Sequence, residues 1–444
     1  MQTGKSDLTA AFAEVLQSIA TTELSSDAVQ AAKQRILDML SVTFDGLNDP
    51  ASETAFRSMT PSYGPCSIIG RKATAAAADA AFVNAVTSHA TGQADCGGGG
   101  HPGTFVVPVC LAVGEQHRRS GKEILSAIVV GYEAAQRMTV AAGAALHSNG
   151  FRWVPAIGVF GAAASASILS GLNTREFANA LNFAANMAGG VYEGMGDGTM
   201  ESHVHAGLAA RSGVTAAAFA RAGGESSPTT LDGAAGFFST FARGRDHEPG
   251  ALTAEAKRLG IHSAWSKPFA ACKANQETMR LIRLLHPTSL TPSEIERIII
   301  TRPARDYDAP GICDEPPYHN KVQAVMSARF TAVATLLGKP VMGSRYFYES
   351  FGDSDVEEVA HKTTLLTTDA GDETVTVEVV RRDGPTLTLR SKDVAGATWD
   401  VDLEARFETL ASPRLHGATR SVLDLVASLE SITDMDRLMQ LVRA

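Results

Sequence analysis

Apolar residues recur at Val29, Ala32, Ile36 and Leu40, the three-to-four spacing of one helix face, and Ser25, Ser26 and Asp27 stand ready to cap the first turn. Segments 73–90, 105–117, 122–147, 154–170, 174–190 and 205–222 follow with polar positions thinned out, Ala and Gly dominating and charges scarce. That texture predicts helices packed against one another on several sides rather than helices with one wet face. The pattern changes near residue 265. Segment 296–301 is a β-branched run, and 374–380 and 386–389 read as two strands joined across 381–385 by an Asp-Gly turn. Helical spacing persists at 275–286 and 320–337, and 418–442 is amphipathic helix again. The expected fold is mainly α: a large all-helical domain of residues 1–266 plus 405–444, with a smaller α+β lid domain, 267–404, inserted before the C-terminal helices. A ligand site belongs in the cleft between them.

Composition narrows the partner. With 444 residues, 44% hydrophobic and 20% charged, the chain can bury two cores. A net charge of −9 without long Lys or Arg runs excludes a nucleic-acid or anionic-membrane surface, so an acidic ligand needs its cations gathered locally. No apolar run reaches the ~18 residues of a membrane span, and residues 1–7 do not read as a secretory signal. The expected compartment is the cytoplasm, with an organelle matrix as the alternative. Five cysteines, an odd number without a C-x-x-C pair, fit a reducing compartment and neither a disulfide framework nor a zinc site.

The candidate chemistry begins at Gly97, Gly98, Gly99, Gly100, His101, Pro102, Gly103, preceded by His89 and Asp95. Consecutive glycines inside a helix-forming region are costly in backbone entropy, so the run implies a close backbone approach, read here as the edge of a pocket that holds an imidazole. Asp95 either bonds the amides of this loop or takes part in catalysis. The loop 194–199 precedes a helical segment and offers backbone N–H groups to a carboxylate. It lacks the strand and spacing of a dinucleotide fingerprint. His203 and His205, two apart, fall on different faces of a helix, which speaks against a metal pair. Arg137 is expected to pair with Glu133 four residues earlier.

Collinear motifs then carry a resemblance. His89, Asp95 and His101 around the glycine run, Gly131-Tyr132-Glu133 with Arg137, residues 158–164, 198–207 and 236–238, and the K-P-F-A-A-C of 267–272 resemble the MmgE/PrpD family over nearly the whole chain. The resemblance implies a large helical domain with an α+β lid, a homodimer, and cofactor-independent chemistry on small di- or tricarboxylates: dehydration, decarboxylation or epimerisation. It also exposes departures. Gly92 stands where the family usually has an acid, Arg152 where it has a histidine, Ser202 where it has a lysine and Gln276 where it has a histidine.

Such reactions pass through a carbanion or enolate-like centre beside a carboxylate, which calls for a base and for cations. The expected acid/base groups are His101 and Lys267, with Lys267 the main base. Arg152 is expected to anchor a carboxylate through its planar fork, and Asp95, His205, Ser202 and Gln276 to complete the binding of a small polycarboxylate, with no metal and no cofactor. A lyase is the first reading. An epimerase and a polycarboxylate binder without catalysis are the alternatives.

Overall fold

Alanine and glycine set how closely the helices of this protein meet. The computed structural model describes residues 8–59, 62–286, 288–394 and 401–443, so the opening segment 1–7 lies outside the described residues. The chain builds α1 (Leu8–Thr21), α2 (Ser26–Gly46), α3 (Ala77–Ala90), α4 (Gly103–Gln116), α5 (Gly121–Met138), α6 (Gly158–Leu169), α7 (Thr174–Asn186) and α8 (Glu201–Arg221). Ser25 caps α2, and reciprocal capping boxes, Ser120 with Glu123 and Asn173 with Glu176, start α5 and α7.

Helix α8 packs on both α3 and α6. A Cβ added at Gly213 would stand 2.4 Å from the Ala162 Cβ, so α8 and α6 touch almost backbone to backbone. Two effects oppose each other in Gly213→Ala. Helix propensity favours alanine by up to ~1 kcal/mol, whereas overpacking a filled interface costs about 1–3 kcal/mol. The clash is with a neighbouring Cβ and backbone, which cannot swing away. We expect Gly213→Ala to lower the urea midpoint, and an unchanged or raised midpoint would refute the close-packing account.

Two departures from the expected helices matter. The segment 122–147 is not one regular helix: after α5 the chain passes through a π-helical turn at Thr139–Gly143 before Ala144–Ser148. A ribbon of two-residue strands, Cys66–Ser67 against Thr74–Ala75, also sits inside the helical part.

The second unit contains α9 (Gln276–Leu285), α10 (Ala328–Leu336) and a four-stranded sheet of β1 (Ile295–Arg302), β2 (Thr363–Thr367), β3 (Thr376–Arg381) and β4 (Leu387–Arg390). The order is β2-β1-β3-β4, with β1 parallel to β2 and the other pairs antiparallel. Strand β2 is the element the sequence pattern does not announce. The expected helix 320–337 divides at Ser327, whose extended backbone and side chain cap α10.

The chain then returns through α11 (Leu403–Leu415), α12 (Thr419–Ala427) and α13 (Asp436–Val442). Buried apolar side chains fall into two clusters. One runs from Phe12 to Ile261 and resumes from Leu403 to Val442, and the other runs from Phe269 to Val379. The protein is thus mainly α with a small mixed sheet. No helix among the described residues is long and apolar enough to cross a membrane.

Polar contacts stitch the two clusters together. The Gln93 amide donates to the carbonyls of Pro268 and Met342 at 2.8 and 2.9 Å, and the Ser344 N–H donates to Asp45 at 2.8 Å. Lys321 pairs with Asp49, and Arg406 of α11 reaches both Asp38 and the carbonyl of Lys267.

Candidate active site

A cavity of about 190 Å³ lies where the two clusters meet. The last turn of α3 and the residues after it supply His89, Ala90, Gly92 and Ala94, and the glycine loop supplies His101. His147, Arg152, Tyr192, Met195, Ser202 and His203 complete the helical side, while Lys267, Cys272, Lys273 and Lys321 with the apolar Ala309, Pro310, Val322, Val325 and Met326 close the other. Among the described residues that line it there is no carboxylate.

The glycine loop explains the position of His101. A Cβ on Gly98 would sit 2.5 Å from the Gln136 Cα, so the close approach is to α5. Gly99 and Gly100 have φ of 75° and 93°, a left-handed backbone that favours glycine. The Gly99 N–H donates to Thr139 Oγ1 at 2.7 Å. The expected pocket edge is therefore His101 itself, and the glycines before it face a helix.

His101 Nδ1 lies 2.6 Å from the Asp95 carbonyl oxygen. A carbonyl only accepts, so Nδ1 carries the hydrogen and Nε2 keeps its lone pair. Burial, and then the neighbouring Lys267 charge, hold this imidazole well below its ordinary pKa, so it is neutral at pH 7.

Asp95 itself does not line the cavity. Its carboxylate accepts from the Tyr132 hydroxyl at 2.6 Å and from the Gly103 N–H at 3.0 Å, with Arg35 at 4.0 Å. Burial pushes its pKa up to about 6. Of the two roles open to Asp95, the contacts are those of a residue that fixes the loop.

Arg152 follows an isolated bridge between Phe151 and Val191, and its N–H donates to the Gly190 carbonyl at 3.1 Å. The guanidinium donates to the Ser202 carbonyl at 2.6 Å and to His205 Nδ1 at 3.3 Å. It has no carboxylate partner among the described residues. Burial lowers its pKa only to about 10, so it remains charged. His205 lies outside the cavity lining and orients Arg152, whereas Ser202 lines the cavity.

Lys267 is 2% exposed and is held by the carbonyls of Gly92 and Ala271. Burial pulls its pKa below the usual lysine value. Gln276 is also absent from the lining. Its amide donates to the Phe269 and Ala271 carbonyls at 3.0 Å each, and its oxygen accepts from the Phe269 N–H at 3.2 Å, bracing the turn that carries Lys267.

Of the expected site residues, His101, Lys267, Arg152 and Ser202 share the cavity, while Asp95, His205 and Gln276 support it from behind. The loop 194–199 overlaps the short helix Glu193–Asp197 and contributes Met195 to the wall. Arg137 pairs with Glu133 at 2.7 Å, as its spacing implies.

The cavity also holds groups that the sequence reading did not assign to it. His203 is pushed down to about 4 by burial and by Lys321, and His89 is likewise held low. The rings of His101, His89 and His203 form a row with centroids 5.4 and 5.7 Å apart. His147 follows the π-helical turn and stacks edge-on to Tyr192 at 5.0 Å. The charge of Lys321 is committed to Asp49 and to the Ala90 carbonyl.

Two apolar cores thus meet at a cavity whose wall holds buried cations and imidazoles and, among the described residues, no carboxylate. The chain belongs to the MmgE/PrpD family, whose N-terminal domain model matches residues 10–250. It is similar to the cis-aconitate decarboxylase of Aspergillus terreus, 24% identical over 473 residues that cover 98% of this chain and 96% of the relative. The cis-aconitate decarboxylases of Mus musculus and Homo sapiens are 25% and 26% identical, covering 98% of this chain and 93% and 94% of their own lengths.

Proposed function

We propose that this chain is a cofactor-independent lyase that dehydrates or decarboxylates a small di- or tricarboxylate of citrate-like or aconitate-like form. One observation carries the reading: Arg152 and Lys267 are buried cations in the wall of a cavity without a carboxylate. An unpaired buried charge costs several kcal/mol, and an anionic ligand offsets that cost in a protein whose net charge is −9. The decarboxylase names of relatives that align over nearly the full chain support the same class.

In this mechanism the fork of Arg152 grips one carboxylate. His101 Nε2 carries the proton, because Nδ1–H is tied to the Asp95 carbonyl. In dehydration it takes the carbon-bound proton and returns it to the hydroxide that leaves the neighbouring carbon as water. In decarboxylation the C–C bond to the departing CO2 breaks and the protonated imidazole gives its proton to the resulting carbanion. Lys267 donates to two carbonyls, an arrangement that favours its ammonium form, so it serves as the cation facing the enolate-like charge rather than as the main base. A bound substrate supplies the negative charge that lets His101 hold the abstracted proton.

Purified protein incubated with citrate-type and aconitate-type acids in deuterated water is expected to form product. Deuterium wash-in without net product would instead mean epimerisation, and binding without either would leave a receptor and end the lyase reading. Arg152→Lys is expected to raise KM about 10–100-fold with a smaller loss in kcat, since a charge-assisted hydrogen bond is worth about 1.5–3 kcal/mol and a flexible ammonium cannot reproduce the fork. A kcat loss larger than the KM rise would move Arg152 from binding to chemistry.

A further inference from the structure

We propose that Asp38, a residue of α2 outside the cavity wall, is a positioning residue that sets Lys267 in place through Ser266 and Arg406. The proposal rests on the lyase reading above and adds the device that holds its cation in register.

Asp38 is fully buried, and its two carboxylate oxygens serve different elements. One accepts from the hydroxyl of Ser266, the residue directly before Lys267, and the other accepts from the Arg406 guanidinium on α11. Arg406 also donates to the Lys267 carbonyl at 3.1 Å. The backbone is thereby tied down on both sides of the Lys267 α-carbon, while the Gly92 and Ala271 carbonyls hold the ammonium at the far end.

The same carboxylate is linked to the support of His101. Arg35, three residues before Asp38 on α2, sets its Nη1 3.5 Å from Asp38 and 4.0 Å from Asp95. That Nη1 is buried and makes no hydrogen bond, so charge alone places it between the two acids. Asp95 in turn fixes the Gly103 N–H and receives His101 Nδ1–H on its carbonyl.

Stability is a weak reason for such a cluster, because apolar side chains of similar volume often hold a core as well as buried ion pairs do. Orientation is a better one. Charge-assisted hydrogen bonds fix geometry as well as energy, and a misplacement of about 1 Å at a reacting group can cost about 10²-fold in rate. Asp38, Ser266 and Arg406 are all absent from the cavity lining, so their effect on a ligand passes through residues that belong to it.

The test is a double-mutant cycle of Asp38→Asn with Lys267→Met, read as kcat/KM on the best acid found and, separately, as the Kd of succinate by calorimetry. In the parent background Asp38→Asn is expected to lower kcat/KM about 10–100-fold, mainly through kcat, and to weaken succinate binding. In the Lys267→Met background the same change is expected to cost less than about threefold, because the group it positions is gone. An unchanged binding stoichiometry and a cooperative melting curve check the fold. Arg406→Gln attacks the brace from its other end, must give the same cycle, and replaces Asp38→Asn if that variant does not fold.

Turnover decides where the parent has it, and succinate binding where it does not. Equal losses with and without Lys267 mean that Asp38 only stabilises the fold, and they overturn the proposal. Its failure is distinct from that of the lyase reading. Turnover by the parent with equal losses removes the brace alone, and a succinate cycle that vanishes without Lys267, with no turnover of any acid tried, removes the lyase alone. A parent that neither turns over an acid nor binds succinate removes both.

Discussion

Replacing His101 by glutamine is expected to lower kcat by about 10²–10⁴-fold, the usual cost of a lost general base, while the melting curve stays close to that of the parent. Glutamine is polar and of similar reach, and its amide can still donate to the Asp95 carbonyl that now receives Nδ1–H. What it lacks is the basic nitrogen. The pH profile of the parent supplies a second readout. A base works when unprotonated, and burial with the Lys267 charge holds the His101 pKa below 6.5, so the acid limb of kcat/KM belongs below that pH. A limb well above it would mean that another group titrates. Near-normal turnover by His101→Gln would remove the base assignment altogether.

Lys267→Met is expected to lower kcat by about 10²–10³-fold, the scale seen when a preorganised charge-stabilising group is removed. The methionine keeps the bulk of the side chain and abolishes the charge. It also strands the Gly92 carbonyl, which costs about 1–3 kcal/mol if left unpaired, while the Ala271 carbonyl keeps the Gln276 amide, so folding must be checked by denaturation alongside the assay. The two variants differ in pH behaviour. Without Lys267 the push on His101 weakens, its pKa rises, and the residual activity loses its acid side at higher pH than in the parent. If Lys267→Met alone is inert and His101→Gln retains turnover, lysine is the base after all.

Much of this site was legible along the chain. The glycine run, His101, the K-P-F-A-A-C turn and Arg152 stand out as residue types held in costly or unusual contexts, and all of them help to form or position the cavity wall. Residue type could not reveal which way a side chain points. Asp95, His205 and Gln276 were read as substrate contacts, and each turns its polar atoms toward a neighbouring loop or side chain instead. His147 escaped notice because its position depends on the π-helical turn at Thr139–Gly143, a shift in register that no periodicity announces. Lys321 and Lys273 come from the second core, and their approach to α3 and the glycine loop is a matter of tertiary packing alone. Strand β2 was missed for a related reason: Thr363–Thr367 is short, and it becomes a strand through parallel pairing with β1.

The row of low-pKa imidazoles has a thermodynamic consequence. His101, His89 and His203 are held uncharged by burial and by the field of Arg152, Lys267 and Lys321. A polycarboxylate bound as proposed would cancel part of that field, so the same rings would regain affinity for protons while it is bound. Association would then be coupled to proton uptake from solution. The expected result is an affinity that strengthens as the medium becomes more acidic, until the free acid itself protonates, and an apparent heat of binding that varies with the ionisation enthalpy of the buffer.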